Sequence, residues 1–164
     1  MSMSSGLTFD LSIDPNDRFV ATVRRFVEGA LERLMVDPDG VFRVAMTAHE
    51  LLDNAVKHSV AGSVLLRFAA RIEPEQALIN LSVINETTPS HIDRLRETIN
   101  AIGGAQSAFA HYRRLLPAAT RMRGDAGLGL ARIAAQAEIM LGLEIKGTTV
   151  AVMASTRASA LGAW

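Results

Sequence analysis

The sequence predicts an α+β protein, a layer of helices packed on a sheet, and three observations carry that expectation. Apolar residues recur at the helical period from Pro15 to about Met35, from Pro38 to about Ser59, and from Ser90 to Ile102. The period drops to two in "LTFDLSI", "SVLLRFAARI" and "ALINLSVIN", and "LEIKGTTVAVMAS" reads as a closing hairpin. The two kinds of segment interleave with no internal repeat and no low-complexity break, so one core has to serve both. The expected architecture is a two-layer α/β sandwich with helices on one face of a mixed sheet.

The elements follow in order. Leu7, Phe9, Leu11 and Ile13 alternate with polar residues and predict an opening edge strand. Asp14-Pro15 offers a capping acceptor followed by a ring already at helical φ, so a helix is expected from Pro15, with Phe19, Val23, Phe26, Val27, Ala30, Leu31 and Leu34 as its stripe. "DPDG" turns the chain into a second helix near Pro38. "EPEQ" separates the arms of a hairpin whose second strand buries Ile79, Leu81 and Val83. Ile92, Leu95, Ile99 and Ile102 mark a third helix ended by Gly103-Gly104, and a short helix carrying Phe109, Tyr112, Leu115 and Leu116 is expected after it. A loop from Pro117 to Asp125 then leads through "GLGL" into a last helix, and Gly147 turns the closing hairpin. The predicted division is a disordered lead-in over 1–6, one domain over 7–155, and a tail over 156–164 with no period of its own.

Composition narrows the function classes. At 164 residues the chain holds one compact domain with a real core. Lys plus Arg and Asp plus Glu both number 17, so no global charge draws the protein to nucleic acid or to anionic lipid. There is no cysteine, hence no disulfide and no Cys-ligated metal. No apolar run reaches the roughly 20 residues that span a bilayer, and "MSMSSGLTFD" lacks the basic and apolar regions of a signal peptide, so a cytoplasmic protein is expected. His49, His91 and His111 have no metal-ligand spacing with one another.

Two stretches carry chemistry. In "HELLDNAVKHS" the helical period puts Ala48, Leu51, Leu52 and Ala55 on the core side, and Arg43, Thr47, Glu50, Asn54 and Lys57 on the other. That second side is either a solvated face, its charge pairs worth tenths of a kcal/mol, or a site. Hydrated Mg²⁺ takes oxygen ligands and keeps several waters, so one Asn carbonyl with phosphate oxygens suffices, and a nearby Glu is placed to accept a hydroxyl proton. In "GDAGLGLARIA", Gly127 and Gly129 permit close backbone approach to a phosphate at a helix N-terminus. The plainer alternative is a glycine-rich turn entering a helix, with Leu128 and Leu130 plugging the core.

Together the two stretches resemble the N-box and the second glycine box of the GHKL nucleotide-binding superfamily, whose members share the Bergerat fold. "RFVEGALERL" and "FRVAMTAHELLDNAVKH" look most like its anti-sigma-factor serine kinase branch, and the resemblance covers residues 7 to 155. It implies ATP and Mg²⁺ as cofactors, Asn54 as the Mg²⁺ ligand and Glu50 as general base. It also implies that Lys57 and His58 lie beside the phosphates and that Gly124, Gly127, Leu128, Gly129 and Leu130 form the phosphate-closing loop. The chain departs from the superfamily at "VINETTPSHID": Asn85 stands where an Asp-x-Gly-x-Gly box would read adenine, either as a neutral acceptor for the base or as a strand-ending turn residue. With the segment from Val83 to Leu116, this substitution is similar to the SiaB-type protein kinases. The Arg113, Arg114, Arg121 and Arg123 run before the glycine box reads as a solvated loop or a phosphate-sensing lid.

The expected function is a Mg-ATP-dependent protein-serine/threonine kinase in a partner-switching pathway, acting on a small antagonist protein with an acceptor Ser or Thr. The alternative is a catalytically inactive module of the same fold that sequesters a regulatory partner. A homodimer paired through the opening strand is compatible with both.

Overall fold

The computed structural model describes residues 6–34, 36–104, 128–137 and 139–161. The expectations for residues 1–5, for the helix through Phe109 to Leu116, for the 117–125 loop, and for Gly124 and Gly127 lie outside these.

Five strands form one sheet in the order β1-β2-β3-β5-β4, from Gly6–Ile13 (β1), Ala61–Ile72 (β2), Gln76–Glu86 (β3), Met140–Lys146 (β4) and Thr149–Ser159 (β5). Every neighbouring pair is antiparallel, so the sheet is not mixed as expected. The reason is connective: β2–β3 and β4–β5 are hairpins, β1 lies antiparallel along the outer side of β2, and β5 folds back on β3. The hairpin turn between β4 and β5 uses Gly147 at φ 63°, a left-handed conformation that costs a side chain-free residue nothing.

The helices among the described residues are α1 (Val20–Arg33), α2 (Pro38–His58), α3 (Pro89–Gly104) and α4 (Leu128–Ala137). Alternation fixes the side of the sheet they cover: Val64, Leu66, Phe68 and Ala70 of β2, Ala77, Ile79, Leu81 and Val83 of β3, and Val150, Val152 and Ala154 of β5 are buried, while their neighbours are half-buried or exposed. Against that face α2 supplies Val41, Val44, Ala48, Leu51, Leu52 and Ala55, and α1 packs on α2 with Val23, Val27 and Leu31. Phe9 ties β1 in, stacked on Phe68 at 4.8 Å and meeting Phe26 edge-on at 5.0 Å. The other face of the sheet holds a groove of ≈ 590 Å³ lined by residues such as Asn80, Ser82 and Met153.

Three boundaries differ from expectation, the smallest being Gly6, which opens β1 inside the expected lead-in. Asn16, not Asp14, is the cap: its backbone is extended and its side chain accepts from the Arg18 amide at 3.0 Å, making a single 3₁₀ turn, so α1 starts at Val20. The strand β5 continues through Ser159, four residues into the expected tail, because Thr156 to Ser159 complete the ladder along Ile79 to Gln76. Its end anchors α2. Asp37 donates its amide to Ser159 O at 3.0 Å, its side chain caps Gly40 N at 2.9 Å, and Pro38 occupies the first turn. Gly40 sits so close that a Cβ there would stand 2.6 Å from the Ala158 Cβ.

Candidate nucleotide site

The second half of α2 carries the candidate polar side. Glu50, Asp53, Asn54 and His58 are half-buried and Lys57 is exposed, four of them within one turn and a half. Thr47, expected on this side, is fully buried instead, and it tolerates burial because its hydroxyl donates to the Arg43 carbonyl at 2.8 Å. Lys57 pairs with Asp53 at 2.6 Å, an i,i+4 contact with the acid nearer the helix N-terminus. His49, beside Glu50, has its pKa lowered, chiefly by burial, with Asp53 opposing and Arg24, Arg132 and Lys57 reinforcing the shift.

The last helix completes this end. α4 packs against α2 and begins at Leu128. Leu130, expected at the nucleotide, has its side chain in the core with Ile133, so its backbone alone remains for a phosphate role. Gly129 faces α2: a Cβ on it would stand 2.5 Å from Glu50 Oε2. One turn on, Arg132 makes an ion pair with Glu50 Oε1. The glycine therefore makes room for a carboxylate from α2, and the arginine holds it there. Sequence reasoning missed Arg132, although its i,i+3 spacing from Gly129 puts the two on one side of the helix.

The other end of the site is made by the end of β3 and the start of α3. Asn85 is 4% exposed, with its side-chain nitrogen 3.4 Å from the Glu86 carbonyl. Thr87, fully buried, donates its hydroxyl to the His58 carbonyl at 2.6 Å and its amide to Thr148 O at 2.9 Å, which fixes the C-terminus of α2 to the strand ends. His91, in the first turn of α3, stacks its ring on His58 at 3.7 Å. Burial pushes the His91 pKa down to about 4, with His58 and Arg94 adding to the fall, and its buried Nδ1 has no hydrogen-bond partner among the described residues.

The residues present fit Mg²⁺ and a polyphosphate in kind. Asn54 offers an amide oxygen one turn from the Glu50 carboxylate, and Gly129 opens a space at a helix N-terminus that already receives an anionic group. At the β3 end the buried polar groups are an amide, Asn85, and a hydroxyl, Thr87, both neutral.

No protein-family model matches the chain, and no curated protein matches it. Among solved structures, it is similar to a chain in the crystal structure of the SiaB-SiaC complex from Pseudomonas aeruginosa, with a TM-score of 0.67 at 16% identity over 92% of this chain and 88% of that one. At that identity the likeness establishes the fold, an α+β two-layer sandwich shared over nearly the whole length of both chains.

Proposed function

We propose that the chain is a Mg-ATP-dependent protein-serine/threonine kinase that acts as a partner-switching regulator. One observation carries the reading: Glu50 and Gly129, singled out in two separate stretches of sequence, meet across α2 and α4. Bound Mg²⁺-ATP would supply the transferable phosphoryl group and neutralise its developing charge. Asn54 is the residue to hold the metal through its amide oxygen. Glu50 accepts the proton of the incoming Ser or Thr hydroxyl. The backbone amides opening α4, Gly129 among them, hold negative charge where the helix dipole favours it. Lys57 and His58 border the same end of α2. A protein as the partner is supported by the architecture shared with a structure solved as a complex of two proteins.

The test is transfer itself. Incubated with Mg²⁺-ATP and a cognate partner, the chain is expected to add one phosphoryl group to a partner Ser or Thr, read by intact mass and fragmentation, and Glu50→Gln is expected to abolish it. A partner that binds tightly and is never phosphorylated would leave the second reading, a sequestering module. The observation favouring that second reading is that Glu50 is held against α4 rather than turned outward.

A further inference from the structure

The proposed chemistry makes two demands that the Glu50 contacts do not meet. A base has to present a carboxylate oxygen to a hydroxyl, yet Glu50 directs Oε1 to Arg132 and Oε2 over Gly129. A phosphate site has to be open to an anion, yet the first turn of α4 is where the Glu50 carboxylate now lies. A carboxylate and a phosphate in the same place repel each other, so Glu50 has to leave before a nucleotide phosphate arrives. Its departure would uncover Arg132. That guanidinium is a fork of five donors suited to bidentate phosphate contact, and its side chain is 38% exposed while that of Glu50 is 13% exposed.

Resting on the nucleotide reading above, we infer that Arg132 is a phosphate-binding residue that exchanges partners, holding the Glu50 carboxylate when the site is without ligand and the nucleotide phosphate when it is bound. The exchange couples the two demands: the contact that brings phosphate onto α4 is the one that turns Glu50 loose to act as a base. A purely structural staple between α2 and α4 makes the opposite forecast, since it would stabilise the fold and leave affinity alone.

The experiment is a calorimetric titration of the full chain with Mg²⁺-ATP, and in parallel with inorganic tripolyphosphate, for wild type, Glu50→Gln, Arg132→Met and the double variant. Glu50→Gln is expected to bind both probes several-fold more tightly, because the competing charge is gone. Arg132→Met should weaken both by about tenfold, the scale of one charge-assisted contact. In the double variant the gain from Glu50→Gln should vanish, since no guanidinium remains to be released. Should Arg132→Met fail to fold, Arg132→Lys replaces it and is expected to bind less tightly than wild type. Single variants that lower the thermal midpoint and leave both affinities unchanged would overturn the exchange while leaving the nucleotide reading intact. No heat of binding in wild type or in Glu50→Gln would remove the nucleotide reading and the exchange with it.

Discussion

The two ends of α2 are built on opposite terms. At its start the helix is sealed: Asp37 caps it and donates its amide to the end of β5, and Gly40 touches Ala158 with no room for a Cβ. At its other end the side chains are charged or amphiprotic and partly exposed: Glu50 meets Arg132, Lys57 meets Asp53 and His58 stacks on His91, while the His58 carbonyl accepts from Thr87. The difference teaches where each kind of work is done. Steric fit holds the helix on the sheet, and this frees the last three turns to carry groups that can change partners. Substitutions at the first end should therefore act on stability in the absence of ligand, and substitutions at the second on binding and on the response to pH.

The strongest way to break that comparison is Gly40→Val. Its side chain would overlap Ala158 and the capping carboxylate of Asp37, and overpacking with loss of the cap should cost about 3 kcal/mol. The urea midpoint should fall accordingly; an unchanged midpoint would mean that α2 does not rest on β5 as described.

At the second end the next largest effect is with pH. The folded-state pKa of His91, about 4, lies below the ordinary imidazole value of 6.5, so folding favours its neutral form. The stability this contributes is complete above pH 6.5 and is lost as pH falls from there to about 4, because the unfolded chain takes up a proton that the folded chain refuses. The loss, reduced by the solvent that still screens the ring, should be on the order of 1–2 kcal/mol at the acid end. His49, also lowered, works in the same direction. Thermal midpoints at pH 7 and pH 5 should differ for wild type, and the difference should shrink in His91→Phe, which keeps a ring against His58. An equal pH response in the two proteins would contradict the burial of His91.

The smallest effect is the most informative about exposure. Asp53→Asn removes one partner of the exposed Lys57, an i,i+4 pair worth a few tenths of a kcal/mol. A midpoint shift within about 0.5 kcal/mol is expected, against the large change at Gly40. A much larger loss would show that the polar end is structural after all.

The same helix shows what was legible in the sequence. Periodicity placed its ends to within a residue, and it separated Ala48, Leu51, Leu52 and Ala55 from Glu50 and Asn54, because burial of one stripe is what makes the period. Periodicity puts Thr47 on the wrong side, since a hydroxyl satisfied by the carbonyl four residues back is buried as readily as an aliphatic group, and composition does not reveal that bond. The strand over Thr156 to Ser159 left no alternation to read, small and polar residues being held there by the ladder to β3 and not by a hydrophobic face. The approach of Glu50 to Gly129, the Arg132 contact and the stacking of His58 on His91 have no local signature, because each depends on how separate elements pack.

The central claim is that the polar end of α2 binds Mg²⁺-nucleotide through Asn54. The most direct test is the thermal midpoint of wild type and Asn54→Ala with Mg²⁺ alone, with ATP alone, and with both. A ligand that binds only the native state stabilises it by mass action, by about 2.7 kcal/mol at a hundredfold excess over Kd. The account predicts a rise that needs both ligands and disappears in Asn54→Ala. No rise at millimolar nucleotide, or an equal rise in the variant, would contradict it.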